Sequence, residues 1–376
     1  MKIPFNKIYI SGNELGYIDE AVNSGHISSD GKFTELCQDF FEKKYNFKKA
    51  FLMTSCTSGL ESAAALLNVK EGDEIILPSY TFVSTANAFA LRGAKLVFCD
   101  SEALSPNIDV NKIEELISPK TKALVIIHYA GIACDMDKIM QICAKYNLYL
   151  VEDAAHAIDS FYKDKPLGSF GNFGTFSFHE TKNITAGECG LITINDPDMV
   201  KPAEIMRDKG TNRTAFFRGE VNKYDWVSLG SSYAPSEILA AFLYGQIENL
   251  EKIQKKRVRI WERYYMNLKS LEIKGKIKLP VIPEYAVNNA HIFYFLCRDI
   301  DERTALIKFL KDNGISASFH YLALHNAPYY ASFKKNIKLP NAEMYTERLI
   351  RLPMYYELTN NEVDYITEKV KEFYTS

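Results

Sequence analysis

The sequence is notable first for what it lacks. No apolar run is long enough to cross a bilayer, and the start, Met1-Lys2-Ile3-Pro4-Phe5-Asn6, has no apolar core of the kind a secretory signal needs. Charge of one sign is missing too: a net charge of −2 gives no field to hold nucleic acid or an anionic membrane. The seven cysteines are odd in number, scattered, and contain no C-x-x-C pair, which argues against a disulfide framework or a zinc ribbon and fits a reducing cytoplasm. Neither G-x-x-x-x-G-K-[ST] nor G-x-G-x-x-G occurs, which weakens nucleotide-triphosphatase and dinucleotide readings. His179-Glu180 opens like a zinc-protease helix, but Asn183 stands where its second histidine belongs, so no metal is expected. There is no repeat and no low-complexity segment.

What is present is ordered alternation. Ala50–Met53, Glu74–Leu77, Lys95–Cys99, Ala123–Ile127 and Leu148–Glu152 are short, mostly apolar and bounded by polar or Gly-Pro punctuation, as buried strands are. Between them Ser58–Leu67, Val83–Leu91, Val110–Ile117 and Met136–Tyr146 carry apolar residues at helical spacing. Such alternation predicts an α/β fold with a mostly parallel sheet covered on both faces, whose ligands sit at the carboxyl ends of the strands. After Asn195 the pattern changes. One long helix is expected over Ser236–Leu271, then a Pro-punctuated link at Leu279–Pro283. Ala290–Arg298 reads as a strand, Glu302–Asn313 as a helix, Ala317–His320 as a strand and Glu362–Tyr374 as a closing helix. Two domains are expected, 1–245 and a smaller α+β unit, 246–376.

Three segments hold candidate chemistry. In Gly174-Thr175-Phe176-Ser177-Phe178-His179-Glu180-Thr181-Lys182-Asn183 an alternating run delivers a hydroxyl and then a lysine at a strand end. Desolvation there would favour the neutral amine that a Schiff-base lysine needs, although most lysines are solvated surface groups. Leu148-Tyr149-Leu150-Val151-Glu152-Asp153-Ala154-Ala155-His156 is a buried strand ending in acids at the ligand edge. Asp153 either caps the structure that follows or faces the ring nitrogen of a pyridoxal-type cofactor. Thr54-Ser55-Cys56-Thr57-Ser58-Gly59-Leu60 follows a strand and opens a helix, as either an ordinary cap or an anion site.

In this order, with Pro78-Ser79-Tyr80-Thr81-Phe82-Val83-Ser84-Thr85-Ala86-Asn87, these segments resemble the sugar aminotransferases of the DegT/DnrJ/EryC1/StrS family over essentially the whole chain. The resemblance implies the aspartate-aminotransferase fold (fold type I of the pyridoxal-phosphate transferases) and pyridoxal 5'-phosphate as cofactor. It makes Lys182 the catalytic Schiff-base lysine, Asp153 the pyridinium partner, His156 a neighbour of the cofactor hydroxyl and Phe82 the stacking aromatic. Thr57, Ser58 and Ser177 become its phosphate set. Ser232-Tyr233-Ala234 stands where many members have Asn-Tyr-Arg, whose Asn reaches the cofactor phosphate of a neighbouring subunit; by the resemblance Ser232 is the residue left to offer a hydroxyl there. His128-Tyr129-Ala130-Gly131, Lys209-Gly210-Thr211-Asn212-Arg213, Phe216-Phe217-Arg218-Gly219 and Phe319-His320-Tyr321 point within the family to amination of dTDP-4-keto-6-deoxy-D-glucose by L-glutamate. They place His320, Tyr321, Arg213, Arg218 and Phe217 on the nucleotide-sugar substrate. The alternatives are a 3-keto sugar-nucleotide aminotransferase and a non-catalytic regulatory protein retaining the fold. Family resemblance also implies a homodimer.

Overall fold

A computed structural model describes residues 2–331 and 337–375. The central sheet consists of β1 (Ala50–Met53), β2 (Glu74–Pro78), β3 (Lys95–Cys99), β4 (Thr121–Ile127), β5 (Tyr149–Asp153), β6 (Phe173–Ser177) and β7 (Gly190–Ile194). Their spatial order is β1-β7-β6-β5-β4-β2-β3. Neighbours from β6 to β3 run parallel, while β7 is antiparallel to both β6 and β1. The five strands expected from the sequence are present, the bounds of β2, β4 and β5 shifting by one to two residues.

Period-two alternation divides the strand side chains between two cores. Leu52, Ile76, Leu124, Ile126, Leu150 and Leu191 face one layer. Phe51, Met53, Ile75, Leu77, Val125, Val151 and Ile192 face the other. Almost every one of these is fully buried, so trimming any of the buried Leu or Ile residues to Ala costs about 2–5 kcal/mol. The same alternation decides the fate of the two acids ending β5. Glu152 turns to one side, where its carboxylate accepts the amides of Gly168, Phe170 and Gly171 at 2.7–2.8 Å and His128 Nε2 at 3.0 Å. Asp153 turns to the other.

Several expected elements differ. Val110–Ile117 is two short 3₁₀ turns, Val110–Lys112 and Glu114–Leu116, because only Val110 and Ile113 are deeply buried and no helical stripe continues. The long helix over Ser236–Leu271 is two, Glu237–Ile247 and Leu250–Ile273. It breaks at Glu248-Asn249, where the Glu248 carboxylate is held by Tyr17 Oη and Asn13 Nδ2. Helix Glu237–Ile247 packs on the N-terminal helices Glu14–Asn23 and Lys32–Tyr45, and the buried Glu237 carboxylate accepts the first amides of the latter, Phe33 N at 2.7 Å and Thr34 N at 3.0 Å. Ala317–His320 is no strand: Ser318 makes one bridge to Arg351. Ala290–Arg298 shrinks to β8 (Phe293–Leu296), which pairs antiparallel with β9 (Leu349–Leu352).

A further core is formed by Ile260, Tyr264 and Leu268 from helix Leu250–Ile273, Phe293 and Phe295 from β8, Ile350 and Leu352 from β9, and Ile366 from the last helix. Ile3 from the N-terminus joins it. No helix among the described residues is long and apolar enough to cross a membrane. All seven cysteines are free and buried.

Candidate functional site

A cavity of about 500 Å³ opens at the carboxyl ends of β5 and β6, roofed by β9 and the segment around His320. Its floor is set by Asp153, Ser177 and Lys182, and its walls include Thr57, Phe82, His156, His320 and Tyr321. Lys182 and Asp153, read separately from two segments, therefore share one cavity.

Lys182 follows β6 on a turn closed by its own amide donating to the His179 carbonyl at 2.9 Å. The next residue locks the turn: Asn183 donates to Gln254 Oε1 and the Asn289 carbonyl at 2.7 and 2.9 Å, and its Oδ1 meets His291 Nδ1 at 2.9 Å. Burial brings the half-buried Lys182 amine down to about 8, against opposition from nearby Cys56 and Asp153, with Arg351 pushing it lower.

Asp153 is 3% exposed. Its Oδ2 accepts Thr85 Oγ1 at 2.7 Å and its Oδ1 accepts the Ala155 amide at 3.1 Å, so part of it does shape the local turn, although no helix follows. Burial nevertheless raises its carboxyl above the usual range, which the two hydrogen bonds and Lys182 only partly offset. A carboxylate held in that state suits a cationic N–H.

His156 is held neutral by burial and by the cations Lys182 and Arg351. Its Nδ1 accepts the Ala130 amide at 3.3 Å, which leaves the proton on Nε2, 3.1 Å from Tyr321 Oη. The amide comes from a tight turn: Ala130 and Gly131 have φ of +58° and +77°. A Cβ on Gly131 would lie 2.0 Å from Asn289 Oδ1. His291 and His320 stand beside His156 with ring centroids 4.4 and 5.8 Å away, and burial keeps both neutral. His320 Nδ1 meets Tyr129 Oη at 2.6 Å.

The helix Cys56–Leu66 begins at the cavity because Gly190 on β7 lets it approach: a Cβ there would meet the Ser55 carbonyl carbon at 2.3 Å. Thr57 Oγ1 donates to Ser84 Oγ at 2.8 Å, joining two helix starts at the cavity wall. Phe82, 53% exposed, presents its ring to the same space, 6.1 Å from the Tyr321 ring.

Other expected residues are placed elsewhere. Ser58 is buried and its hydroxyl is committed to a capping box, accepting Ser55 N at 3.0 Å and donating to the Ser55 carbonyl at 2.7 Å; it does not line the cavity. Ser232 is exposed and outside the cavity of its own chain. Arg213 pairs with Asp208 at 3.3 Å. Arg218 is occupied by Glu204 and Glu220, both at 2.6 Å. Phe217 is 72% exposed. Local acids thus neutralise the two arginines expected at a diphosphate, and neither lines the cavity.

Conversely, the sequence reading overlooked Arg351, His291, Ser84, Phe5 and Asn6, all of which line the cavity. Arg351 alone carried a legible signal, a cation between Ile350 and Leu352 in an apolar strand.

The residues fit a pyridine cofactor bearing an aldehyde and a phosphate. A partly deprotonated amine is present for the aldehyde, a buried carboxyl for the ring nitrogen, an exposed aromatic for the ring face, and hydroxyls at a helix start for the phosphate. Comparison with known proteins agrees with this chemistry. A family model described as the DegT/DnrJ/EryC1/StrS aminotransferase family matches residues 9–371. The uncharacterized protein MJ1066 of Methanocaldococcus jannaschii is 36% identical over 351 residues, covering 91% of this chain and 89% of that protein. Among solved structures, Spr1654 of Streptococcus pneumoniae in its PLP form superposes with a TM-score of 0.91 at 27% identity, covering 99% of this chain and 98% of that one. It has also been solved in a PMP form, at the same TM-score and identity. The aminotransferase TlmJ of Streptoalloteichus hindustanus superposes with a TM-score of 0.91 at 26% identity, covering 100% and 99%.

Proposed function

We propose, from the premise that the chain belongs to the DegT/DnrJ/EryC1/StrS aminotransferase family and takes pyridoxal phosphate as its cofactor, that it aminates a keto-sugar nucleotide. The specific reaction is dTDP-4-keto-6-deoxy-D-glucose plus L-glutamate giving dTDP-4-amino-4,6-dideoxy-D-galactose plus 2-oxoglutarate, in cell-surface polysaccharide biosynthesis in the cytoplasm. The observation that carries the reading is the convergence of Lys182 and Asp153 in one cavity at the strand ends. The substrate assignment draws on the likeness of the 128–131, 209–219, 229–233 and 319–321 segments.

When bound, pyridoxal phosphate supplies an aldehyde that takes up an amine and a ring that withdraws electrons from the adjacent carbon. Lys182 is the residue that holds the aldehyde. Once released, its amine is placed to move a proton at the reacting carbon. With a pKa near 8 it is neutral in about a quarter of molecules at about pH 7.5, against roughly a thousandth for an ordinary lysine. Asp153 would keep the ring nitrogen protonated, Phe82 would orient the ring, and Thr57 with Ser177 would hold the phosphate. His156, neutral and donating toward Tyr321, fixes that phenol at the cavity wall. His320 and Tyr321 meet the substrate from the roof.

We assign the functional unit as a homodimer. Phe217, Trp226 and Leu229 are 72%, 72% and 65% exposed on the segment that also carries Ser232 and Arg213, a cluster suited to a neighbouring copy. The decisive experiment incubates the protein with pyridoxal phosphate, L-glutamate and a panel of 4-keto and 3-keto sugar nucleotides, with products identified by mass and NMR. A product aminated at carbon 3, or no amination of any sugar, refutes the specific reaction.

A further inference from the structure

Two consecutive residues of the turn after β4, Tyr129 and Ala130, each touch a histidine that lines the cavity, and the reading above uses only the Ala130 path. There the Ala130 amide fills His156 Nδ1, and Nε2–H donates to Tyr321 Oη at 3.1 Å. The other path starts from a phenol: Tyr129 Oη lies 2.6 Å from His320 Nδ1. Tyr129 is 1% exposed, with the rings of Tyr80, Tyr294 and Tyr321 around it at centroid distances of 5.6, 5.6 and 6.0 Å. Burial holds its hydroxyl protonated, well above the ordinary phenol range. That proton needs an acceptor, because an unpaired hydroxyl in such a cage is costly. Tyr80 Oη, in the same cluster, has no hydrogen-bond partner, which leaves His320 Nδ1 to take the proton.

The consequence falls on the other ring nitrogen. His320 is kept neutral by burial and by nearby cations, so with Nδ1 filled its own proton sits on Nε2, which has no hydrogen-bond partner among the described residues. The ring cannot easily turn over, since it stacks on Tyr321 with centroids 3.7 Å apart. We propose that Tyr129 is a positioning residue for the amination: it fixes His320 as the Nε2–H tautomer, so that the roof offers the substrate hydrogen-bond donors and no base. This rests on the sugar-aminotransferase reading, in which the roof meets the sugar. Tyr321 acts in the same sense, because its oxygen accepts from His156 and its own O–H is left to donate. Two such donors suit the hydroxyl or keto oxygens of a sugar, whereas an ammonium group would find no free lone pair on His320. Proton movement at the reacting carbon is then left to Lys182.

The test uses the pyridoxal-phosphate-loaded protein with its histidines labelled by heavy nitrogen. Long-range proton–nitrogen correlation spectra tell a protonated ring nitrogen from a bare one, and the signals that vanish in His320→Ala are those of His320. Wild type is expected to show a bare Nδ1 and a protonated Nε2 there, and Tyr129→Phe a mixture of both tautomers. In kinetics, Tyr129→Phe should lower kcat/KM for the keto-sugar nucleotide about 10-fold, the effect of one oriented hydrogen bond. In the His320→Ala background the same change should cost less than about 2-fold, because Tyr129 acts only through that ring. A His320 protonated at Nδ1 in the wild type overturns the proposal. So do additive losses in the double variant, which a purely structural phenol would give. Should Tyr129→Phe fail to fold, the wild-type spectrum decides alone. Failure of the wild type to aminate any sugar refutes the proposed reaction, while the spectrum still judges Tyr129.

Discussion

Replacing Asp153 by Asn should make the cofactor-free protein more stable and the enzyme nearly inactive. The side chain is 3% exposed, and burial raises its carboxyl above the usual range. In linkage terms a raised acid binds more protons folded than unfolded, so its contribution is present at low pH and is lost as pH climbs through the folded value. At neutral pH the buried charge is a net cost. Asn can take its place without orphaning a partner: Oδ1 still accepts the Ala155 amide, and the new NH₂ donates to Thr85 Oγ1. That is possible because Thr85 and Thr81 hydroxyls lie 2.8 Å apart and either can be the donor. Removing an uncompensated buried charge is worth roughly 1–3 kcal/mol. With an unfolding entropy of about 2.1 cal/mol/K per residue over 376 residues, that is a rise of about 1–4 °C in Tm. Pyridoxal phosphate should reverse the order, stabilising the wild type more than the variant, and turnover should fall by about 100-fold or more. Thermal scans of both proteins, with and without cofactor, provide the assay. A cofactor-free variant melting below wild type, together with equal cofactor stabilisation of both, would refute the reasoning and make Asp153 a structural cap.

Lys182→Met should abolish the covalent adduct that borohydride reduction leaves on the wild type, read by intact mass. Because the Lys182 amine is brought down to about 8, the folded protein releases that proton while the unfolded chain keeps it to about 10.5. Wild-type stability relative to the Met variant should therefore rise between about pH 8 and 10.5 in urea titrations. Tyr321→Phe removes the acceptor of His156 Nε2–H and should cost about 1–3 kcal/mol in the same titrations, with turnover reduced about 10-fold. Gly131→Ala places a Cβ 2.0 Å from Asn289 Oδ1 at φ +77°, and should destabilise by about 3 kcal/mol or more, seen as a lowered Tm and weakened cofactor retention.

The parts of this molecule that were legible in the sequence are those where local pattern and tertiary role coincide. Parallel strands buried on both faces must read as short apolar runs, and their carboxyl ends are where Asp153 and Lys182 were found. Misreadings arose where local pattern was indifferent to the outcome. Helical periodicity continues across Glu248-Asn249, but the hydrogen bonds from Tyr17 and Asn13 that accompany the break come from residues more than two hundred positions away. The hydroxyl of Ser58 looks like that of Thr57 in sequence; only the capping geometry shows that one is engaged with Ser55 and the other faces the cavity. Arg213 and Arg218 beside aromatics match the composition of a nucleotide cradle; within a single chain they pair with Asp208, Glu204 and Glu220 and lie outside the cavity, a placement local pattern does not reveal.

The cavity's electrostatics explain why residues from distant elements had to meet there. Asp153 and Arg351 enter one cavity from different strands, β5 and β9, and make no ion pair with each other. His156, His291 and His320 line the same cavity and are kept neutral by burial, adding hydrogen-bonding capacity but no competing charge. The chain thus maintains a separated positive and negative centre around an amine poised near neutrality. A raised buried carboxyl beside a lowered amine destabilises the isolated fold and matches an occupant with a cationic ring nitrogen.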